Sequence, residues 1–215
     1  MKFLLSSFSL FCCIFLQAQN SQPLSVTFPP LTTYSDEWNK PGYAQCNTAE
    51  KVSYMSVGEK NVIYILNLIR TCPVLFTNTV LLKYPERSGN YHLLNDTFYF
   101  QSLVKTLLSM KPAPLLFPDK DCYTSARCHA IQSGITGYVG HERKKAECEK
   151  KRSYNGECCD YGNDDPLDIV LSLLIDEGVY SLGHRSICLG EYAKVAVSVQ
   201  PHKAWRYNTV IDFKY

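Results

Sequence analysis

The chain has 215 residues, enough for one domain with a core of its own. It carries 22 Lys and Arg against 20 Asp and Glu, a balance that argues against nucleic acid as a partner, because phosphate binding draws on a clear positive excess.

Residues 1–19 predict a cleavable secretory leader. They hold one Lys, an apolar run too short to span a bilayer, and small and polar residues around Ala18. The expected location is therefore secreted or extracellular, or periplasmic in a bacterium, with no transmembrane segment in the mature chain. Removing the leader takes Lys2 and two of the ten Cys, Cys12 and Cys13, which leaves 21 basic against 20 acidic side chains and eight Cys. An even number of Cys in an exported chain reads first as disulfides. Zinc is the second reading, weakened by the absence of a CxxC pair.

Residues 20–47 are rich in Pro and turn formers and predict an extended arm or short strand; 48–215 form the domain proper. Over 59–70, Val62, Ile65, Leu66 and Ile69 recur at helical spacing until Pro73 stops the run. Asn67 and Arg70 lie one turn apart on it, either satisfying backbone groups or bracing a site. A second helix is predicted over 98–110, ended by Pro112 and Pro114. A third begins after Pro118, sets Ala126, His129, Ala130 and Ser133 on one face, and stops at Gly134. Its geometry forbids a Cys122–Cys128 bond, because six residues of helix rise about 9 Å and a disulfide tolerates about 7 Å between Cα atoms.

From 134 to 165 the chain reads as one long Gly-rich loop, with six basic residues between Arg143 and Arg152 taken as a solvated face. This loop lacks apolar residues to hold it, so at least two disulfides are expected, with Cys148 paired to Cys158, Cys159 or Cys188. The last helix is predicted over 166–177, with Asp164 or Asp165 as cap, Pro166 in its first turn and Gly178 as its end. "KVAVSVQ" and "NTVIDF" read as strands around a turn near Pro201 and Lys203. The sequon Asn95-Asp96-Thr97 is a glycosylation acceptor only in a eukaryotic host.

Three landmarks then fall in order: "NLIR" in the first helix, "GHER" after the third, and "GEC" followed by "LLIDEGVYSLGHR" at the last. Together they resemble the CAP superfamily, also called the SCP or cysteine-rich secretory, antigen 5 and pathogenesis-related 1 domain, and its bacterial-type branch in particular. The resemblance covers about residues 48–213 and implies an α/β fold, a three-layer α-β-α sandwich. It also implies a cleft lined by two His and two acids that takes a divalent metal. Matched residue by residue, these are His141 of "GHER", Glu157 of "NGEC", His184 of "LGHR" and, less directly, Asp176, three residues after the Leu173 that stands where the family has Trp. Two residues depart from the pattern: Cys158 replaces the Asn of GEN, and Ile187 replaces an Asn after the second His.

Asp168 competes with Asp176 for the fourth place. Asp168 falls in the first helical turn, where the helix dipole favours a negative charge; Asp176 falls in the last turn, where an acid needs a cation or a protonated His opposite. Asn67, Arg70, Arg185 and Asp168 are the supporting residues. His129 is assigned to packing and His202, beside Lys203, to the surface.

The resemblance implies a non-enzymatic extracellular module that takes a divalent cation, zinc first, binds a lipid or small apolar ligand, and meets an extracellular protein or surface partner. A metal-dependent hydrolase on the same residues is the alternative. Against it, "HERKK" has Lys145 where a metalloprotease HExxH helix has its second His, and no GxSxG elbow occurs.

Overall fold

The computed structural model describes residues 30–96 and 98–215. The predicted leader, the first part of the arm and Thr97 of the sequon lie outside them. What is described of the arm is no free extension. Two 3-10 turns, Asp36–Trp38 and Pro41–Cys46, fold it onto the core, where Leu31, Trp38 and Cys46 are buried. The Trp38 indole donates to Thr79 Oγ1 at 3.0 Å, so the arm is tied down by a polar bond as well as by apolar area.

Helix α1 spans Val57–Thr71 and starts where the sequence provides a reciprocal cap. Ser56 Oγ accepts from the Glu59 amide, while Glu59 Oε2 accepts from the Ser56 amide at 2.7 Å. α2 (Pro73–Thr79) and α3 (Tyr84–Ser88) follow, then α4 (Phe100–Ser109), shorter at its start than the predicted 98–110. β1 is only Phe117–Pro118.

α5 (Lys120–Thr136) runs past the predicted stop at Gly134. The reason is contact: a Cβ on Gly134 would sit 2.1 Å from the Pro201 carbonyl oxygen, so this Gly lets the helix lie against a strand. Gly137, at φ +77°, makes the left-handed C-cap instead. The predicted long loop then contains structure, α6 (Ala146–Lys150) and β2 (Gly156–Tyr161). α7 spans Pro166–Ile175, capped by Asp165, whose Oδ1 accepts from the Leu167 and Asp168 amides. It ends two residues earlier than predicted, with Asp176 itself as C-cap at φ 60°. α8 (Gly183–Leu189), β3 (Lys194–His202) and β4 (Arg206–Lys214) complete the chain.

The sheet order is β1-β3-β4-β2, with β1 parallel to β3 and the remaining pairs antiparallel. Helices cover both faces of this mixed α/β sheet, α5 against β3 and β4 on one side and α1, α7 and α8 on the other. The two sides differ in kind. The α1/α7 side holds one large apolar cluster that includes Ile63, Leu66, Phe76, Leu103, Leu173 and Phe213, whereas the α5 side holds a small one of Ala126, Ala130, Cys159 and Val210. Glu59 crosses between elements, its Oε1 accepting from the Val199 amide at 2.9 Å and tying the start of α1 to β3.

The disulfide among the described residues joins Cys128 to Cys148, which corrects the expected pairing of Cys148 with Cys158, Cys159 or Cys188. α5 and α6 pack together and bring the two sulfurs into range, while the other three Cys lie on β2 and α8. No single described helix is long and apolar enough to cross a membrane.

Candidate functional site

β2 is an edge strand, and the titratable groups gather around that edge from both faces of the sheet. Alternation along the strand turns Cys159 toward α5 and Cys158 toward the large apolar cluster. His141 comes from the α5 side, on the loop after that helix. Gly140 fixes this loop: its amide donates to the Tyr161 hydroxyl at 2.9 Å, and its carbonyl accepts from His129 Nε2 at 2.9 Å. His184 comes from the other side, in the first turn of α8.

Each histidine is paired with a buried carboxylate through the same ring atom. His141 Nδ1 donates to Glu157 Oε1 at 2.8 Å, and His184 Nδ1 donates to Asp176 Oδ1 at 2.7 Å. The carboxylates accept, so in each neutral imidazole Nε2 holds the free lone pair. The two ring centroids lie 6.0 Å apart with the ring planes tilted by 37°. His141, Glu157, Asp176 and His184 are thus brought together as two oriented His–carboxylate pairs.

Asp176 is held by more than its partner ring. Its Oδ2 accepts from the His184 amide at 2.9 Å and the Arg185 amide at 3.4 Å, so the carboxylate organises the start of α8 while the Asp176 backbone amide caps the end of α7 by donating to Ser172 O. Asp168 goes elsewhere: it accepts from the Tyr84 hydroxyl at 2.9 Å, and burial raises its pKa. Arg185 is buried and covers the end of α7, donating to the Leu174 and Ile175 carbonyls, and it reaches α4 through Tyr99 O and Ser102 Oγ. Asn67 binds Cys46 O, Leu116 O and the Leu116 amide, and Arg70 binds Pro114 O, Cys188 O and Gly190 O. Both tie chain segments together through backbone groups.

Glu157 sits in a buried charged cluster that the sequence reading missed. Arg143, expected on a solvated face, has its guanidinium buried against Glu157 Oε2 and 3.6 Å from Asp212 Oδ2. Burial alone would raise the Glu157 pKa, but hydrogen bonds from His141 and Arg143 and the Arg143 charge outweigh it and hold it at about 2. Asp212, opposite Glu157 in the β2–β4 ladder, is pushed well above the ordinary carboxylate range by burial and then by the Glu157 charge. β2 pairs with β4 here, so a strand that read as loop places Glu157 beside Asp212.

His129 and His202 also depart from the sequence reading. His202 is buried, not on the surface: its Nδ1 accepts from the Ala204 and Trp205 amides and its Nε2 donates to Tyr138 O, which closes the β3–β4 turn. His129 is buried, as packing requires, and burial lowers its pKa. However, His129, Glu157 and Cys159 each bring a ligand atom within 4.8 Å of the others, a buried group that could hold a metal ion.

A cleft of about 770 Å³ opens beside His184 and Asp176 and is also lined by Asp160, Asp168, Tyr161 and Trp205. Asp160 is buried, its pKa raised by that burial, and Asn163 Nδ2 bonds both of its oxygens at 3.1 Å. Nothing in the sequence singled it out, because "GECCDY" lacks an apolar alternation that would mark it as strand. Comparison of the chain with protein-family models, curated proteins and solved structures finds no match.

Proposed function

We propose that this chain is a secreted CAP-like binding module in which His141 and His184 hold a divalent cation, zinc first, at the mouth of the cleft. The observation that carries the reading is the pair of imidazoles, each donating Nδ1 to a buried carboxylate and so keeping its lone pair on Nε2. Outer carboxylates that fix the tautomer and orientation of a ligating His are a recurring feature of zinc sites. Zinc takes imidazole nitrogen at about 2 Å and so lies roughly 3 Å from a ring centroid. Ring centroids 6.0 Å apart place the two imidazoles near enough to share one ion once their Nε2 atoms turn toward it, and that turn is part of the proposal.

In this reading Glu157 and Asp176 orient the two rings, and His184 is the one of the two imidazoles that lines the cleft. A cation so placed supplies Lewis acidity to whatever binds beside it. The protein's own residues supply orientation, through Asp176 at the junction of α7 and α8, and charge, through Asp160, Asp168 and Glu177 along the cleft wall. Leu173, Ile175 and Val179 give the same wall an apolar strip, which suits a small apolar or lipid-like ligand carrying a polar end. A metal-dependent hydrolase on the same residues is the second functional reading; turnover on a panel of peptides and esters, lost in His184→Ala, would favour it.

The second placement of the ion is the group of His129, Glu157 and Cys159, favoured by the mutual distances of its ligand atoms. Two features count against it. Arg143 already occupies Glu157, and burial holds the Cys159 thiol in its protonated form. Cobalt(II) loaded into chelated protein separates the two sites. Binding without a strong near-ultraviolet thiolate band supports the paired histidines, while an intense thiolate-to-cobalt band would place the ion on Cys159 and overturn the proposal.

A further inference from the structure

Cys158 on β2 and Cys188 on α8 are both wholly buried, and their sulfurs lie 3.9 Å apart. Their elements are packed directly against each other. Closing the gap to a bonded length needs about 2 Å of sulfur movement. Cys158 Sγ has one further polar neighbour, the His184 carbonyl at 3.7 Å.

We infer that Cys158 and Cys188 form a second disulfide, a covalent clamp between the strand that carries Glu157 and the helix that carries His184. The known bond and this one divide the work. Cys128–Cys148 closes the loop that contains His141, and Cys158–Cys188 closes the segment that contains His184. Each imidazole then lies inside its own cross-linked loop. Cys188 sits one helical turn after His184, so the clamp fixes the first turn of α8 against the sheet edge.

The bond forms by thiol–disulfide exchange with a small-molecule disulfide. One cysteine thiolate attacks the oxidant, giving a mixed disulfide and releasing one thiolate. The second cysteine thiolate displaces the second. Two protein thiols lose two protons and two electrons, one S–S bond forms, and the oxidant leaves as two thiols. Both sulfurs are closed to solvent in the folded chain, so exchange runs while the chain folds or opens. This inference does not rest on the metal reading and survives its failure.

The test is to refold the reduced, denatured chain in a glutathione redox buffer, block free thiols with iodoacetamide, and map the linked peptides. Bonds at Cys128–Cys148 and Cys158–Cys188, with Cys159 alkylated, are the expected result. Because Cys158 and Cys159 are adjacent, Cys159→Ser must keep the second bond and Cys188→Ser must abolish it. The wild-type map alone decides the matter if either variant misfolds. Alkylated Cys158 and Cys188 alongside an intact Cys128–Cys148 bond would overturn the inference, as would Cys158 bonded to any other partner. Closing a segment of this length should raise the folded-to-unfolded ratio by roughly 100-fold over Cys188→Ser.

Discussion

Asp176 shows how much one side chain does when its backbone is constrained. Its left-handed conformation is uncommon for a non-Gly residue, and Asp and Asn tolerate it best. Asp176→Asn keeps that tolerance and the bonds from the amides, and should cost about 1 kcal/mol; Asp176→Ala loses both and should cost about 2 to 4 kcal/mol, measured by urea unfolding. Glu157 makes the second prediction. Its pKa is lowered from 4.5 to about 2, so its contribution is complete above the ordinary carboxylate range and is lost as pH falls from about 4.5 toward 2. The stability difference between wild type and Glu157→Gln should be on the order of 3 kcal/mol near pH 6 and shrink toward pH 2. A difference that stayed constant across this range would show that the Glu157 charge is not what the cluster stabilises. Helix electrostatics favoured Asp176 over Asp168 in the sequence, and in the structure Asp176 bonds His184 while Asp168 bonds Tyr84. The Arg143 and Asp212 neighbours of Glu157 were not legible there, because Asp212 meets Glu157 only through pairing of distant strands and Arg143 only through the fold of the loop after α5.

At the scale of elements, periodicity and caps carried α1 and α7, whose apolar spacing and N-terminal signals agree. β2 could not be read this way. Cys158, Cys159 and both of its acids are buried, so the strand shows no contrast between an apolar and a polar face. The end of α5 was misplaced for a related reason: Gly134 marks a close approach to Pro201, which only the tertiary structure reveals. Gly134→Ala should cost more than the helix propensity gained, about 2 kcal/mol or more, since the new Cβ meets backbone and not a side chain that can move. Equal or greater stability in thermal unfolding would show that α5 can shift away from β3. Within α7, Leu173 is buried among the large cluster, and Leu173→Ala should cost about 2 to 5 kcal/mol. A change below about half a kcal/mol would contradict that placement.

For the molecule as a whole, the division of labour follows from the sheet. The α1/α7 side provides apolar mass, with the arm folded onto it through Trp38, and the α5 side is thin and rich in buried polar groups. The edge at β2 lies where these two environments meet, so charged pairs from both sides are held by burial while the rings remain reachable. His141 keeps half of its side chain exposed, and His184 about a fifth. Calorimetric titration of zinc into chelated protein at neutral pH tests this account most directly. The predicted result is one site in wild type and in His129→Ala, loss of at least tenfold in affinity in Asp176→Asn, and no site in the His141→Ala, His184→Ala double variant. Equal zinc uptake by wild type and the double variant, or loss of the site in His129→Ala alone, would contradict it.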